Sequence, residues 1–322
     1  MLMDEIQFTA YPTTKVVPNV VLPGDLYIFT AGHFIKYKHE GDVLPSEKLE
    51  EFILKKLQFF FVDYKYLDSF HAWSKKHLED EINETIELIG EENRDLAEQN
   101  HVIKDGLLTF ITKEVTSESI NEMIEKTRDF ISNIRKRHHT DKFLGKMRMM
   151  GDTIIDHSTN VANLSTFLAL NVGYSHQILL ENIYLGALLH DYGKVKIDPK
   201  ILDKGPSSKA FQTAIRKHPA LGKTALLLDS GFHDDILRII SEHHERHDGK
   251  GYPKGLKGHR IFDLTKIVAI ANYFDSRIRK MDSNESLTVK QKKAFKMLNA
   301  DQGKMFDPKI LAKCLKVMET IF

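Results

Sequence analysis

Between residues 190 and 244 the chain holds His190-Asp191, His218 and His243-His244, with His157 upstream of them. Neutral imidazoles closed by a carboxylate are a ligand set for divalent transition metals, and an aspartate between two groups of histidines has two oxygens with which to bridge a pair of cations. The chemistry this points to is metal-dependent hydrolysis at a two-metal phosphoesterase site. One inward-facing histidine such as His157, taken alone, reads as an ordinary core residue. Burying the whole set without partners would cost on the order of 1–3 kcal/mol for each hydrogen bond left unmade, so a shared metal centre is the economical explanation.

Helical periodicity supplies the elements that position these groups. Ile236, Ile239 and Ile240 mark the buried stripe of a helix over Asp234 to Asp248; His243 falls at the next step, with His244 beside it. Met150, Ile154, Val161, Leu164 and Leu168 form a seam at three- and four-residue steps, and His157 sits within it. A further helix follows the turn at Gly173, capped by Ser175. It carries Ile178, Leu179, Ile183, Leu185 and Leu189, delivers His190 and Asp191, and is broken by Gly193. His247 to Pro253 is a loop by composition.

The runs His190-Asp191-Tyr192-Gly193-Lys194, His218-Pro219-Ala220-Leu221-Gly222 and His243-His244-Glu245-Arg246-His247-Asp248-Gly249-Lys250-Gly251-Tyr252-Pro253 resemble the HD-GYP family, a branch of the HD phosphohydrolases. Gly255-Leu256-Lys257-Gly258 and Gly303-Lys304-Met305-Phe306-Asp307-Pro308 extend the resemblance over residues 146 to 322. It implies an all-helical metal-bound domain that hydrolyses cyclic di-GMP to the linear dinucleotide or on to GMP in the bacterial cytoplasm, with two divalent cations, iron first and manganese as the alternative. By position it implies His157, His190, Asp191, His218, His243 and His244 as metal ligands, and Asp191 and Lys194 as catalytic residues. Lys194 would meet a phosphate oxygen as a point charge, against the ordinary reading of a solvated surface lysine.

Two positions depart from the family. Thr153 stands where trinuclear members have a glutamate, which favours a two-metal site. Asn272 stands where the terminal aspartate ligand falls; its oxygen can ligate but brings no charge. Asp275, near Asn272 on a helix, is then a ligand or the partner of one. The family's substrate-contacting segment corresponds to Ser276 to Lys280, shorter and without its proline. Arg277, Arg279 and Lys280 are candidates for phosphate contact there, against a solvated face or a partner for the helix dipole. Tyr252 either folds back onto the helical core or, by resemblance, shapes the substrate cleft or engages diguanylate cyclase (GGDEF) domains. Two function classes stay open: a cyclic dinucleotide phosphodiesterase, and a catalytically weak or inactive receptor that binds metal and signals to partner proteins, which Asn272 keeps in play.

The 322 residues, 42% apolar and 28% charged, suffice for two domains with real cores. A net charge of +1 gives no general affinity for nucleic acid. One cysteine, Cys314, fits a reducing compartment, and no apolar run is long enough to span a bilayer, so a soluble cytoplasmic protein is expected. Residues 1–75 read as a small α/β module similar to one that precedes some HD-GYP domains. Its strands are expected at Val16-Val17, Val20-Val21-Leu22, Leu26 to Phe29, Phe34 to Tyr37 and Phe59 to Val62, with a helix over Ser46 to Lys56 capped at Ser46. His33, His39 and His71 read as exposed. Residues 76–145 form a helical linker, able to pack on itself or on a second chain. In it Glu79, Glu81 and Glu84 read as a solvated face and Arg135 to His139 as an exposed basic turn. The expected class is mainly α: a helical metallohydrolase domain at 146–322 behind that module and linker.

Overall fold

The computed structural model describes residues 7–137, 144, 147, 153–227, 231–282, 284–301 and 303–321. A four-stranded antiparallel sheet comes first, built from β1 (Phe8–Pro12), β2 (Leu26–Thr30), β3 (His33–Lys38) and β4 (Phe59–Asp63) in the order β1-β4-β2-β3. β2, β3 and the returning strand β4 lie where the sequence predicts them. Val16-Val17 and Val20 to Leu22 do not form strands; only Val21 makes a single bridge, to Val43. Pro18 and a left-handed Asn19 (φ 61°) interrupt the extended run. The sequence reading left out β1, which ends on Pro12 and tolerates it because β1 is an edge strand.

Helix α1 (Ser46–Leu54) packs beneath the sheet, where Leu49 and Ile53 are buried. Ser46 is its first residue rather than its cap. The Ser46 N–H is satisfied from a distance, by Asn19 Oδ1 at 3.2 Å.

Three helices follow, α2 (Leu67–Ile89), α3 (Arg94–Thr112) and α4 (Ser117–Lys136). The C-terminal part is helical: α5 (Ile154–Val172), α6 (Gln177–Leu188), α7 (Pro199–Leu202), α8 (Lys209–Ile215), α9 (His218–Leu227), α10 (Asp234–Glu242), α11 (Asp263–Arg279), α12 (Leu287–Asn299) and α13 (Pro308–Met318). The protein is mainly α with one small sheet near its N-terminus, as expected. Core side chains from Tyr11 in β1 through Leu107 and Phe130 to Met318 belong to one contiguous apolar cluster.

The hub is α5, which packs against α3, α6, α11 and α13. Ile154, Val161, Leu164 and Leu168 form the buried seam that their spacing predicts, but every residue from Ile154 to Ala169 is buried. Some of the polar positions find partners, and Asn163 Nδ2 donates to Asn100 Oδ1 and to the Met147 carbonyl, each at 3.0 Å, whereas Ser165 Oγ and Thr166 Oγ1 have no hydrogen bond among the described residues. Met150 of the seam, and His138 and His139 of the basic turn, lie outside the described residues. His33, His39 and His71 are exposed, as are Glu79 and Glu84. Glu81 is not simply solvated: its carboxylate turns to Lys104 of α3, a largely buried ammonium that needs counter-charge.

Candidate metal centre and cleft

His157 aside, the candidate ligands stand at helix ends rather than along helices. Helix α6 stops at Leu188 and is preceded by His176 with no side-chain cap, so Ser175 does not cap it and His190 and Asp191 lie in the turn beyond it. Helix α10 stops at Glu242, which places His243 and His244 after it. His218 follows closely on α8. The physical reason is common to all three. The last carbonyls of a helix have no intrahelical donor, and an imidazole three residues on supplies one. Nδ1 lies 2.6 Å from Ala187 O in His190, 2.6 Å from Ile215 O in His218 and 2.8 Å from Ile240 O in His243. A carbonyl only accepts, so each Nδ1 carries the proton and each Nε2 keeps its lone pair for a ligand.

His157 is oriented differently. Its Nδ1 faces Asp275 Oδ2 at 2.8 Å, and Asn160 Nδ2 donates to Asp275 Oδ1 at 3.2 Å. Asp275 is thus hydrogen-bonded to a candidate ligand, and it belongs to neither cluster of potential ligands among the described residues.

The free nitrogens converge on Asp191. His218 Nε2 is 3.1 Å from its Oδ1, while His190 Nε2 and His157 Nε2 are 3.4 and 3.8 Å from its Oδ2. Two groups result, His157 with His190 and Asp191, and Asp191 with His218, His243 and His244, the ligating atoms of each lying within 4.8 Å of one another. Divalent cations fit this donor set. His190 Nε2 is buried without a hydrogen bond among the described residues. The Nε2 atoms of His218 and His243, both deprotonated by the argument above, face each other at 3.0 Å, an arrangement that repels unless a cation shares the lone pairs.

The charge states agree. Burial pushes His190 down to about 4, and burial followed by the surrounding imidazoles holds His243 and His244 well below the usual histidine range. Burial alone would raise the Asp191 carboxyl. Lys194, whose Nζ donates to Asp191 Oδ2 at 2.6 Å, outweighs burial together with His190 and His218 and keeps it well below the carboxylate range.

Two glycines permit the close approach. A Cβ on Gly186 would meet the Ile239 side chain at 2.8 Å, so this glycine lets α6 and α10 bring His190 and His243 together. A Cβ on Gly193 would lie 1.9 Å from the His218 carbonyl oxygen. Gly193 therefore serves contact, not helix termination, since α6 has already ended.

Beside the centre lies a cleft of about 380 Å³ lined by His243, His244 and Asn272, by Tyr252 and Tyr273, and by Arg216, Arg246, Lys250, Arg277 and Lys280 among others. Tyr252 packs against a candidate ligand and lines the cleft. Its ring stacks on His244 (centroids 4.6 Å apart, planes at 24°) and also walls the cleft, with the Arg216 guanidinium 4.8 Å from its centroid. Its loop is held by Glu245, whose carboxylate accepts the N–H groups of Lys254 (2.7 Å) and Leu256 (2.8 Å). Arg277 lies over the Tyr273 ring at 4.6 Å, and Arg246 is paired with Asp248.

Arg279 is not among the residues lining the cleft; it donates to the Thr153 carbonyl at 2.5 Å and faces Glu50 at 4.0 Å. Asn272 is buried, its Oδ1 accepting from Ser276 Oγ at 3.1 Å. Thr153 caps α5 in a reciprocal box with Asp156. Sequence reasoning missed Arg216, Tyr273 and Glu245. For Glu245 a signal was present, an acid inside the His243 to Pro253 block, whereas nothing local marks Arg216 or Tyr273.

Residues 118–310 match the family described as the HD domain. The chain is 29% identical over 231 residues to the cyclic di-GMP phosphodiesterase response regulator RpfG of Xanthomonas campestris, covering 69% of this chain and 55% of that protein. It is 31% identical over 170 residues to a cyclic di-GMP phosphodiesterase of Thermotoga maritima (51% and 45%), and 30% identical over 168 residues to the 3'3'-cGAMP-specific phosphodiesterase 3 of Vibrio cholerae (51% and 35%). The chain thus spans about half or less of the length of these curated relatives. Among solved structures it is similar to Bd1817, an HDG"Y"P protein from Bdellovibrio bacteriovorus, with a TM-score of 0.61 and 21% identity, covering 97% of this chain and 100% of that one.

Proposed function

The chain belongs to the HD-GYP family, and from that premise we propose that it is a metal-dependent phosphodiesterase that opens a cyclic dinucleotide, cyclic di-GMP first, to pGpG or on to GMP. The observation that carries this is the pair of ligand groups sharing Asp191 beside a cationic cleft. His157 and His190 would hold one cation and His218, His243 and His244 the other, with Asp191 common to both and Asn272 at the edge. When bound, two divalent cations supply Lewis acidity toward a phosphodiester and toward water. Iron is proposed first and manganese second, since imidazole and carboxylate donors suit both. Lys194 steadies Asp191 and presents positive charge to the phosphate, while Arg277 and Lys280 meet phosphate oxygens from the cleft wall.

The proposed domains are a small α/β module at 1–75, a helical linker at 76–145 and the metal-binding domain at 146–322; the family match, at residues 118–310, also takes in α4. A cytoplasmic location, docking of diguanylate cyclase (GGDEF) domains on the Tyr252 loop, whose tip at Pro253, Lys254 and Gly255 is exposed, and self-association through the linker helices complete the proposal.

Asn272 favours a second reading, a weak or inactive receptor. Protein loaded anaerobically with two equivalents of Fe(II) or Mn(II) should convert cyclic di-GMP to pGpG or GMP, and Asn272→Asp should raise metal retention and turnover together. Tight binding without turnover in both proteins would favour the receptor. Neither binding nor turnover with both metals in place would overturn both readings.

A further inference from the structure

The N-terminal half and the metal-binding half meet at the first turn of α5, the helix that carries His157. Thr153, just ahead of it, is fixed from two directions. Its N–H and hydroxyl donate to Asp156 Oδ2 at 2.9 and 2.7 Å, while its Oγ1 accepts the Asp156 N–H at 3.2 Å. The other oxygen, Asp156 Oδ1, lies 2.7 Å from Lys104 Nζ of α3, and the same ammonium reaches Glu81 of α2. From the other side, the Thr153 carbonyl accepts both the His157 N–H at 3.0 Å and Arg279, which faces Glu50 of α1.

Asp156 and Lys104 have side chains only 3% and 18% exposed. Charges buried to that degree cost several kcal/mol to desolvate and persist only where pairing and hydrogen bonding are complete. Burial alone would lower the Lys104 ammonium; Asp156 and Glu81 outweigh it and raise it, so the lysine stays charged. Neither Lys104 nor Asp156 is a member of either metal-ligand group. What they hold is the start of the helix, one residue before His157.

We propose that Lys104 is a positioning residue for His157: the chain from Glu81 through Lys104 to Asp156 clamps the cap of α5, so that occupancy of the group formed by His157, His190 and Asp191 depends on how α2 and α3 pack. This rests on the dinuclear reading above for its metal consequence, but not for the clamp. A displacement of α2 against α3, such as a signal received by the N-terminal module would cause, would reach one cation and spare the other.

The test uses the full chain with Lys104→Met, which keeps the stem and removes the charge, Lys104→Arg as the conservative variant, and Glu81→Gln, which cuts the outer link at a side chain 30% exposed. In metal-free protein, amides of residues 154–160 should exchange about tenfold faster in Lys104→Met while those of residues 239–245 stay within about twofold. Glu81→Gln should act in the same sense more weakly, and it decides the matter if Lys104→Met does not fold. In Mn(II) titrations one equivalent should weaken by about tenfold or more and the other hold, with Lys104→Arg restoring it. Unchanged exchange in α5, equal acceleration across α5, α10 and α11, or equal weakening of both equivalents would overturn the clamp. Wild-type protein that takes up fewer than two equivalents would instead sink the dinuclear centre, while exchange in metal-free protein still judges the clamp.

Discussion

His190, His218 and His243 take their orientation from a carbonyl three residues back, whereas His157 takes its own from Asp275 on α11, 118 residues away. The first arrangement is local. Once α6, α8 and α10 form, their unsatisfied ends hold the imidazoles with no help from distant chain. The second is tertiary: it needs α5 and α11 in register and the α5 cap intact. A carboxylate partner also makes an imidazole a stronger donor than a carbonyl does. The orientation of His190, His218 and His243 is thus a by-product of helix termination, whereas that of His157 reports on the packing of the molecule.

The largest effect should come where the halves join. Asp191→Asn removes the one carboxylate common to both groups, and metal content should fall from two equivalents toward none. The melting temperature should fall with it, since a ligand present at 100 times its Kd contributes about 2.7 kcal/mol to the folded state. Elemental analysis after desalting is the measurement. Retention of one full equivalent would mean that Asp191 bridges nothing.

Acid should act next. His190 titrates at about 4 in the fold, below the ordinary histidine value near 6.5. The unfolded chain therefore binds the extra proton first, and stability from this group, full above about pH 6.5, is lost as pH falls through about 4. His243 and His244, shifted in the same direction, add to the loss. Urea midpoints of metal-free protein should decline across that window, and bound metal should be released over it as protons compete for the imidazoles. A midpoint flat from pH 7 to pH 4 would contradict neutral buried rings.

Breaking only the tertiary half is a smaller change. Asp275→Asn keeps the shape but removes the charge that orients His157, and one metal equivalent should weaken by about 10- to 100-fold while the other is unaffected. Mn(II) titration of wild type and variant separates the two. Equal loss of both equivalents would erase the distinction between carbonyl-held and carboxylate-held ligands.

This contrast also marks what the sequence could show. His157, His190, Asp191, His218, His243 and His244 were legible as a set because residue types and family motifs name them. That His190 and His243 lie beyond their helices was not, because apolar periodicity continues past the last helical hydrogen bond and cannot register an imidazole that takes over a carbonyl. The hub position of α5 was hidden by Asn160 and Asn163, whose burial depends on partners elsewhere in the chain. Glu81 looked solvated for the same reason. Its partner Lys104 carries no local mark of being buried, and β1 escaped because Phe8 to Pro12 is short and ends in proline.

The smallest predicted effects separate cleft from scaffold among three arginines. Arg277 and Arg216 each sit over a tyrosine at the cleft wall, at 4.6 and 4.8 Å, whereas Arg279 is bound to the α5 cap. A cation over an aromatic ring contributes about 0.5–1 kcal/mol to the fold, so removing Arg216 or Arg277 should lower the melting temperature only slightly, while the loss of a cleft cation should raise KM for a cyclic dinucleotide. Arg279→Ala should do the reverse: it frees the Thr153 carbonyl and the Glu50 carboxylate, lowering thermal stability while KM holds. A KM rise for Arg279→Ala as large as that for Arg277→Ala would put Arg279 back in the cleft, where its place beside Lys280 in the sequence first suggested it.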